Sequence, residues 1–265
     1  MRRIIWVISN SGWNMSPVTI SGVTLAFAFG GALLGMSLRA MLPENHLSHD
    51  SKDVVKVGIG LIGTMAALVL GLLIASAKSS YDTQFAELTE MSSKMVLLDR
   101  VLAHYGPEAQ DCRELLRASA TRTLERLWPA AGSGQAQLEP LSPGSELLYD
   151  KLQELVPKNE AQRSLQVQAL SIAVTLGQTR WLMFEQNTAS VSAPLLVVLI
   201  FWLTIIFVSF GLFAPRNGTV ITSLFVSSVS VSAAILLILE MYSPWAGMIQ
   251  ISSAPLRLAL AHLGQ

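Results

Sequence analysis

One segment constrains this chain more than any other, because it holds no charged side chain over a membrane-sized length. It runs for twenty-one residues from Val57 to Ala77, and a lysine stands on each side, Lys56 and Lys78. At 1.5 Å per residue such a helix is about 30 Å long, which matches the hydrocarbon core of a bilayer. The segment is therefore predicted to be a transmembrane helix.

Three further segments meet the same criterion of length and lack of charge, namely Ile20–Leu38, Ala193–Ala214 and Val220–Leu239. Four spans are therefore predicted. The first is not expected to be a cleaved signal peptide, because it is too long for the apolar part of one. The 18 basic and 18 acidic residues balance, so the charge gives no indication of a nucleic-acid partner.

The polar region between the second and third spans is predicted to be helical. Its first apolar residues recur in steps of three and four, as on one face of a helix: Leu88, Met91, Met95, Leu98, Leu102 and Tyr105. No helix breaker precedes Gly106 and Pro107, so one unbroken helix is expected from Val54 to about His104.

Further helices are expected at 108–128, at 145–156 with Ser145 as its cap, and from a cap at Asn159 toward the third span. An exposed loop is expected at 129–144 because that stretch is rich in turn-forming residues. The predicted fold class is all-α: a four-transmembrane-helix membrane protein with a cytoplasmic helical bundle inserted between spans two and three.

This organisation divides the chain into residues 1–78 with the first two spans, 79–192 as the helical domain, 193–243 with the last two spans, and 244–265 as a C-terminal tail. The lysines and arginines near the spans are equally distributed between the two sides, so they do not set the orientation. Because the long polar middle region has no signal sequence to translocate it, we expect it and both termini in the cytoplasm. A bacterial inner membrane is the expected location.

Motifs for chemistry are missing from the sequence. It contains no Walker loop, dinucleotide fingerprint, nucleophile elbow or metalloprotease histidine pair, so we expect no enzyme and no cofactor. Its only cysteine, Cys112, excludes an internal disulfide. His46 and His49, with two aspartates nearby, are weak candidates for a metal site, but a solvated polar loop is the favoured interpretation.

The second span offers candidates for lining a pore: Lys56, Gly60, Gly63, Thr64, Ala67, Gly71 and Lys78. If several copies met around an axis, the lysines would form two cationic rings, which favour anions. Two simpler interpretations remain open. Small residues at i+4 spacing also permit close helix packing in lipid, and terminal lysines also serve as interfacial anchors.

Three other residues are candidates for interfaces or ion pairs. Glu240 directly follows the fourth span, where either a cationic partner, Lys78 or Arg180, or interfacial water would stabilise it. Leu98 lies in the middle of the apolar stripe of the long helix and needs a partner surface.

Four stretches of sequence resemble a known family. They are residues 71–84, from Gly71 to Gln84; 97–109, from Leu97 to Ala109; 209–217, from Ser209 to Asn217; and 251–257, from Ile251 to Arg257. They are similar to the bestrophin-like domain family of bacterial and plant membrane proteins, and the resemblance runs over nearly the whole chain.

The link to bestrophins implies a pentamer around a central anion pathway, lined by the second span, with both termini in the cytoplasm. Two departures limit this implication. Bestrophins narrow their pore with bulky residues, whereas no aromatic residue lies between Val57 and Ala77. They also carry an acidic calcium clasp after the last span, where this chain has only Glu240 before Tyr242, so calcium gating is not expected.

The preferred hypothesis is a homo-oligomeric ion channel that passes anions such as chloride, with the lipid bilayer, further copies of the chain and small inorganic ions as partners. The alternative is a membrane-anchored interaction or signalling protein without a pore. A small-solute transporter is less favoured, because no charged residue lies inside a span and no inverted repeat is visible.

Overall fold

The computed structural model describes residues 16–42, 49–129, 143–187, 192–245 and 247–265, and within these ranges the regular structure is helical, without strands. In chain order the helices are α1 (Pro17–Met41), α2 (His49–Tyr105), α3 (Gln110–Leu127), α4 (Pro143–Glu154), α5 (Glu160–Asn187), α6 (Ala193–Phe213), α7 (Gly218–Met241) and α8 (Ala254–His262). Among the described residues, a 3₁₀ turn occupies Pro107–Ala109. The predicted all-α class is confirmed.

Helices α1, α2, α6 and α7 are each long and apolar enough to cross a membrane. Each coincides with one of the four segments predicted from the sequence, and α6 ends at Phe213, one residue before the end of the predicted Ala193–Ala214. The chain is therefore an integral membrane protein with four candidate spans.

Helix α2 is one unbroken helix of 57 residues, as predicted. Its membrane-crossing segment ends at Ala77, and the helix itself ends at Tyr105. Gly106 follows with φ of 122°, a backbone conformation that residues with a Cβ rarely adopt, and the Pro107 that opens the next turn cannot continue the helix. The sequence pair glycine–proline thus fixes this boundary.

The starts of α4 and α5 follow local sequence signals. Helix α4 begins at Pro143, two residues before the predicted cap Ser145, because proline is well suited to the first turn of a helix. The Oδ1 atom of Asn159 accepts a hydrogen bond from the backbone N–H of Gln162 at 2.8 Å, which confirms Asn159 as the cap of α5. Most of the predicted loop lies outside the described residues.

The chain forms two compact units. One, which we call the membrane unit, consists of Met1–Lys78 and Ser190–Met241, and the other, the helical unit, consists of Ser79–Ala189 and Tyr242–Gln265. The C-terminal residues therefore belong to the helical unit. Helix α2 contributes its first part to the membrane unit and its second part to the helical unit.

The core of the helical unit is built on the stripe of α2. All six predicted positions of that stripe are buried, and they pack with apolar residues of the other helices of the unit, among them Cys112, Leu116, Leu152, Ala169 and Leu256. Burying such side chains from water stabilises each by about 1.5–3 kcal/mol. The stripe thus holds the helical unit together.

In the membrane unit, α1 packs very closely against α6 through glycines. A Cβ atom on Gly35 would lie 1.9 Å from the carbonyl oxygen of Val208, and one on Gly211 would lie 1.9 Å from the carbonyl oxygen of Ala32. Only glycine permits this approach of the two backbones, which is a common way for helices to associate in lipid.

Helix α1 is also joined to α7 by serine hydroxyls. Ser21 Oγ donates to the carbonyl oxygen of Ser232 at 2.7 Å, and Ser232 Oγ donates to that of Ser21 at 2.6 Å. Hydrogen bonds of this kind link helices where no water competes for the donors. Ser232 of α7 therefore serves as a contact to a neighbouring helix.

Candidate functional site: the exposed face of helix α2

The membrane-crossing part of α2 is the least buried of the four candidate spans. Only 11% of its apolar window is buried within the chain, compared with 28–39% for α1, α6 and α7. Since a helix in a bilayer is surrounded by lipid or by protein, most of this surface is available to one or the other. This is where a function of assembly or transport is expected.

All seven pore-lining candidates lie on one face of α2, because they are separated by steps of three and four or multiples of these steps. Lys56, Gly60, Thr64, Ala67, Gly71 and Lys78 are exposed, and Gly63 is half-buried. We call this surface the small-residue face. Ile74 also lies on it and is exposed.

The chain leaves room above the glycines of this face. A Cβ atom on Gly60, Gly63 or Gly71 would have no described atom within 4 Å outside its own surroundings in the helix. The close contact that these small residues permit is therefore not made among the described residues. The room above them is available to a second copy, lipid or water.

An adjoining face of the same helix has the opposite character. It carries large apolar side chains that are exposed, among them Val57, Leu61, Met65, Leu68 and Leu72. These side chains suit lipid or an apolar protein partner. The two faces thus differ in side-chain size, although other small residues, among them Gly58 and Ala66, lie elsewhere around the helix.

The lysines mark the two ends of the small-residue face. Lys56 and Lys78 are separated by about 33 Å along the axis at 1.5 Å per residue, so they stand at opposite ends of the apolar segment. Both are exposed. Lys56 Nζ lies 3.3 Å from Asp53 Oδ1 in a solvent-exposed ion pair, which offsets part of its field.

The remaining predicted residues occupy different places. Glu240 is buried with 3% exposure at the end of α7, Arg180 is half-buried on α5, and Leu98 is fully buried in the core of the helical unit. The pairing of Glu240 with Lys78 or Arg180 stays a prediction. Leu98 contacts the chain's own core rather than an exposed surface.

The weak metal candidates gain no support. His46 lies outside the described residues, and of His49 only the backbone, at the start of α2, is described. Across the described part of the chain, no group of three or more His, Cys, Asp or Glu side chains is arranged to hold a metal ion.

Comparison with protein families gives one match that covers nearly the whole chain. The model of the bestrophin-like domain matches residues 26–256. The chain belongs to the bestrophin-like family. No curated protein and no solved structure matches it significantly.

The four stretches that resemble the bestrophin-like family contain side chains with structural roles that the sequence analysis did not predict. The first stretch, residues 71–84, ends at Gln84, which is fully buried. Trp245 Nε1 donates to Gln84 Oε1 at 2.7 Å, and the indole of Trp128 packs edge-on against Trp245 with ring centroids 5.7 Å apart. Trp128 Nε1 in turn donates to the carbonyl oxygen of Ile251, the first residue of the fourth stretch, at 2.9 Å.

Polar atoms near Gln84 lack partners among the described residues. Both atoms are buried: Gln84 Nε2 donates no hydrogen bond to those residues, and Glu87 Oε2 accepts none from them. Gln186 donates to the other oxygen of Glu87 at 2.6 Å. Burial raises the pKa of Glu87 despite the hydrogen bond from Gln186, and the negative charge of Glu90 adds to the rise.

The second stretch, residues 97–109, contains Asp99, which is buried and fixes the C-terminal segment. Arg113 donates to both of its oxygens, at 2.8 Å and 2.9 Å, and the backbone N–H of Gly264 donates to it at 3.2 Å. Burial alone would raise the pKa of Asp99, but these hydrogen bonds and the positive charge of Arg113 outweigh it and lower the pKa.

A signal for two of these residues exists in the sequence. Gln84 is four positions before Leu88, and Asp99 is four positions after Met95, so both fall in register with the buried stripe of α2. A polar residue at such a position requires a buried partner. The identity of that partner, far away in the sequence, has no comparable signal.

Proposed function

We propose that this chain is the subunit of a homo-oligomeric ion channel in which the small-residue face of α2 lines a pore for anions such as chloride. The observation that carries the proposal is the exposed small-residue face on the least buried span, with a lysine at each end. Membership of the bestrophin-like family supports it, since bestrophins are anion channels.

A pore requires several copies, because one chain supplies one such face. Arranged around an axis, the faces would form a wall of glycine, alanine and threonine, with Ile74 as a large apolar side chain among them. Two rings of lysines would stand at its mouths, where their positive potential raises the local concentration of anions. By analogy with bestrophins we propose a pentamer.

We further propose that the helical unit and both termini lie in the cytoplasm, that the membrane is a bacterial inner membrane, and that the chain works without enzymatic activity or cofactor. Small inorganic ions and the lipid bilayer are the proposed partners, and nucleic acid is not. The length of the polar middle region supports this orientation.

The alternative, a membrane-anchored interaction protein without a pore, has one observation in its favour. The helical unit carries exposed apolar side chains, among them Val156 at 79% and Val167 at 63% exposure. Such side chains suit a partner protein. The two proposals differ in whether the purified protein alone conducts ions.

The first experiment measures particle mass and ion flux on the same preparation. The channel predicts an oligomer of at least three copies in detergent and chloride efflux from liposomes that contain it, above the efflux from empty liposomes. A monomer or dimer without flux would refute the channel and favour the interaction protein.

The second experiment maps the pore wall with two neighbouring cysteine variants. Ala67→Cys lies on the small-residue face and Leu68→Cys on the large apolar face. A charged thiol reagent should reduce flux through Ala67→Cys and leave Leu68→Cys unchanged. The native Cys112 is a suitable background, because it is buried and its burial raises the pKa of the thiol. Equal inhibition of both variants, or inhibition of Leu68→Cys alone, would contradict the assignment of the faces.

A further inference from the structure

An arginine lies at or just beyond the C-terminal end of two spans of the membrane unit, α1 and α6. Arg39 directly follows the apolar segment Ile20–Leu38, and Arg216 stands two residues after the end of Ala193–Ala214. The first lies in the last turn of α1, and the second lies between α6 and α7. Both guanidinium groups thus stand where the apolar surface of the spans gives way to the headgroup level.

Arg39 is held by the end of α6, and Arg216 is held by a backbone carbonyl of α1 near its C-terminal end. Arg39 Nη1 donates to the carbonyl oxygens of Phe213 and Ala214 at the end of α6, the former at 3.5 Å. Arg216 donates from Nε at 3.2 Å and from Nη2 to the carbonyl oxygen of Met36 in α1. The bonding is thus reciprocal, because each guanidinium group is tied to the backbone of the other segment at the same end of the α1–α6 pair.

Among the described residues, the positive charge at this place is only partly offset. The C-terminal end of a helix carries the equivalent of about half a negative charge, and two helix ends therefore offset about half of the charge of two guanidinium groups. Neither Arg39 nor Arg216 forms an ion pair with any acid in the described ranges. Arg39 Nε and Nη2 and Arg216 Nη1 also have no acceptor in those ranges.

Exposed apolar side chains lie on the same helices within two turns of the arginines. They are Phe210 of α6 and Leu34, Leu38 and Met41 of α1, which at 100° per residue lie on other sides of α1 than Arg39. A ligand that fits has an anionic group for the guanidinium forks and an apolar part for these side chains. A phosphate group suits the planar fork of arginine, because it accepts two parallel hydrogen bonds.

We propose that Arg39 and Arg216 together bind the phosphate of an anionic phospholipid at the end of α1 and α6. A free phosphate shares the chemistry of the headgroup but makes no use of the apolar surroundings. The site does not depend on the proposed pore, so it can be tested on protein that conducts nothing.

The experiment measures lipid binding to the full chain in detergent by native mass spectrometry, with phosphatidylglycerol and phosphatidylcholine of equal chain length. We expect phosphatidylglycerol to bind at least about tenfold more tightly, the difference expected for one charge-assisted hydrogen bond. Arg216→Gln should remove this preference, and the control Lys52→Gln, which removes a cation at the start of α2, should keep it.

Each result decides the proposal. Equal affinity for the two lipids, or an equal loss in Lys52→Gln, would show that the site does not exist or that general positive charge attracts the lipid. Inorganic phosphate that competes at the same concentration as the lipid would show that a free anion is the ligand. If Arg216→Gln does not fold, Arg216→Lys, which keeps the charge and loses the fork, should weaken phosphatidylglycerol binding several-fold, and unchanged binding would overturn the proposal.

Discussion

The two halves of helix α2 differ in how the chain treats their apolar side chains. In the membrane-crossing half, large residues such as Leu61 and Leu68 are exposed, Leu68 to 75%. In the half from Leu88 to Tyr105, the apolar side chains form one stripe, and Leu98 at its centre has no exposed surface. The same helix thus shows the pattern of a span and the pattern of an amphipathic helix in succession.

The difference follows from the solvent that each half meets. In water, burying apolar area is the main driving force, so the stripe is hidden and polar residues face outward. In lipid that driving force between helices is missing, and close backbone approach and hydroxyl hydrogen bonds take its place. This explains why the membrane unit packs through Gly35, Gly211 and Ser232 while large side chains stay outside.

The largest effect on stability is expected from a charge placed in the buried stripe of α2. Leu98→Asp places a carboxylate without a partner in the core of the helical unit, at a cost of about 3–5 kcal/mol. Leu97→Asp, one residue earlier and 48% exposed, should cost no more than about 0.5 kcal/mol. Thermal unfolding in detergent compares the two. Equal stability of both variants would show that the stripe is not a core.

The glycines provide the corresponding comparison in the membrane unit. Gly35→Ala forces its Cβ into the backbone of α6 and should destabilise the protein by about 1–3 kcal/mol or more. Gly71→Ala meets no described atom within 4 Å, so the fold of the single chain should be unchanged or more stable by up to about 1 kcal/mol. The melting temperature of Gly35→Ala should therefore fall, and that of Gly71→Ala should stay unchanged or rise.

Gly71→Leu sharpens the same comparison, because it adds bulk to a position that the chain itself does not contact. If the small-residue face meets another copy, this variant should dissociate the oligomer while each chain stays folded. Size-exclusion chromatography with light scattering measures the mass. An unchanged mass together with unchanged stability would place Gly71 toward lipid or an open lumen.

Local signals made much of the fold predictable. The charge-free segments gave the four spans, the steps of three and four gave the stripe of α2, and Gly106 with Pro107 gave its end. Asn159 was recognisable as a cap because the side-chain oxygen of asparagine accepts hydrogen bonds from the free N–H groups of a first helical turn. Each of these features depends on residues that are neighbours in the sequence.

The features that were missed join residues far apart. Gln84 pairs with Trp245, and Arg39 and Arg216 each reach the end of another helix, although the sequence contains no local pattern that connects them. Arginine in a short loop between spans is indistinguishable from an orientation signal until the carbonyl groups around it are known. The proposed oligomer, and with it the environment of the small-residue face, likewise depends on contacts beyond one chain.

Asp99 offers a smaller test on the buried side of α2. Its lowered pKa means that the folded protein binds the proton less readily than the unfolded chain does. The stabilisation is therefore fully present above the ordinary pKa of an aspartate, about 4, and is lost as the pH falls toward the lowered value. Asp99→Asn should cost about 1–3 kcal/mol at neutral pH and flatten this acid dependence of stability. An Asp99→Asn protein with the stability and the acid profile of the wild type would contradict the role of Asp99.

The smallest effects are expected at the charged ends of the exposed half, where water and salt screen the field over about 8 Å at physiological ionic strength. If the small-residue face lines an anion pathway, Lys78→Glu should lower the chloride-to-sodium permeability ratio. Asp53→Asn should raise it, because it removes the carboxylate 3.3 Å from Lys56 and restores the field of that lysine. Since an exposed charge contributes less than about 1 kcal/mol, each change should stay below about fivefold and should shrink as salt is added. Bilayer recordings measure the ratio, and the opposite signs of the two variants exclude a general loss of protein as the cause. If both leave the ratio unchanged while current persists, the lysines are interfacial anchors and the permeating ions do not pass along this face of α2.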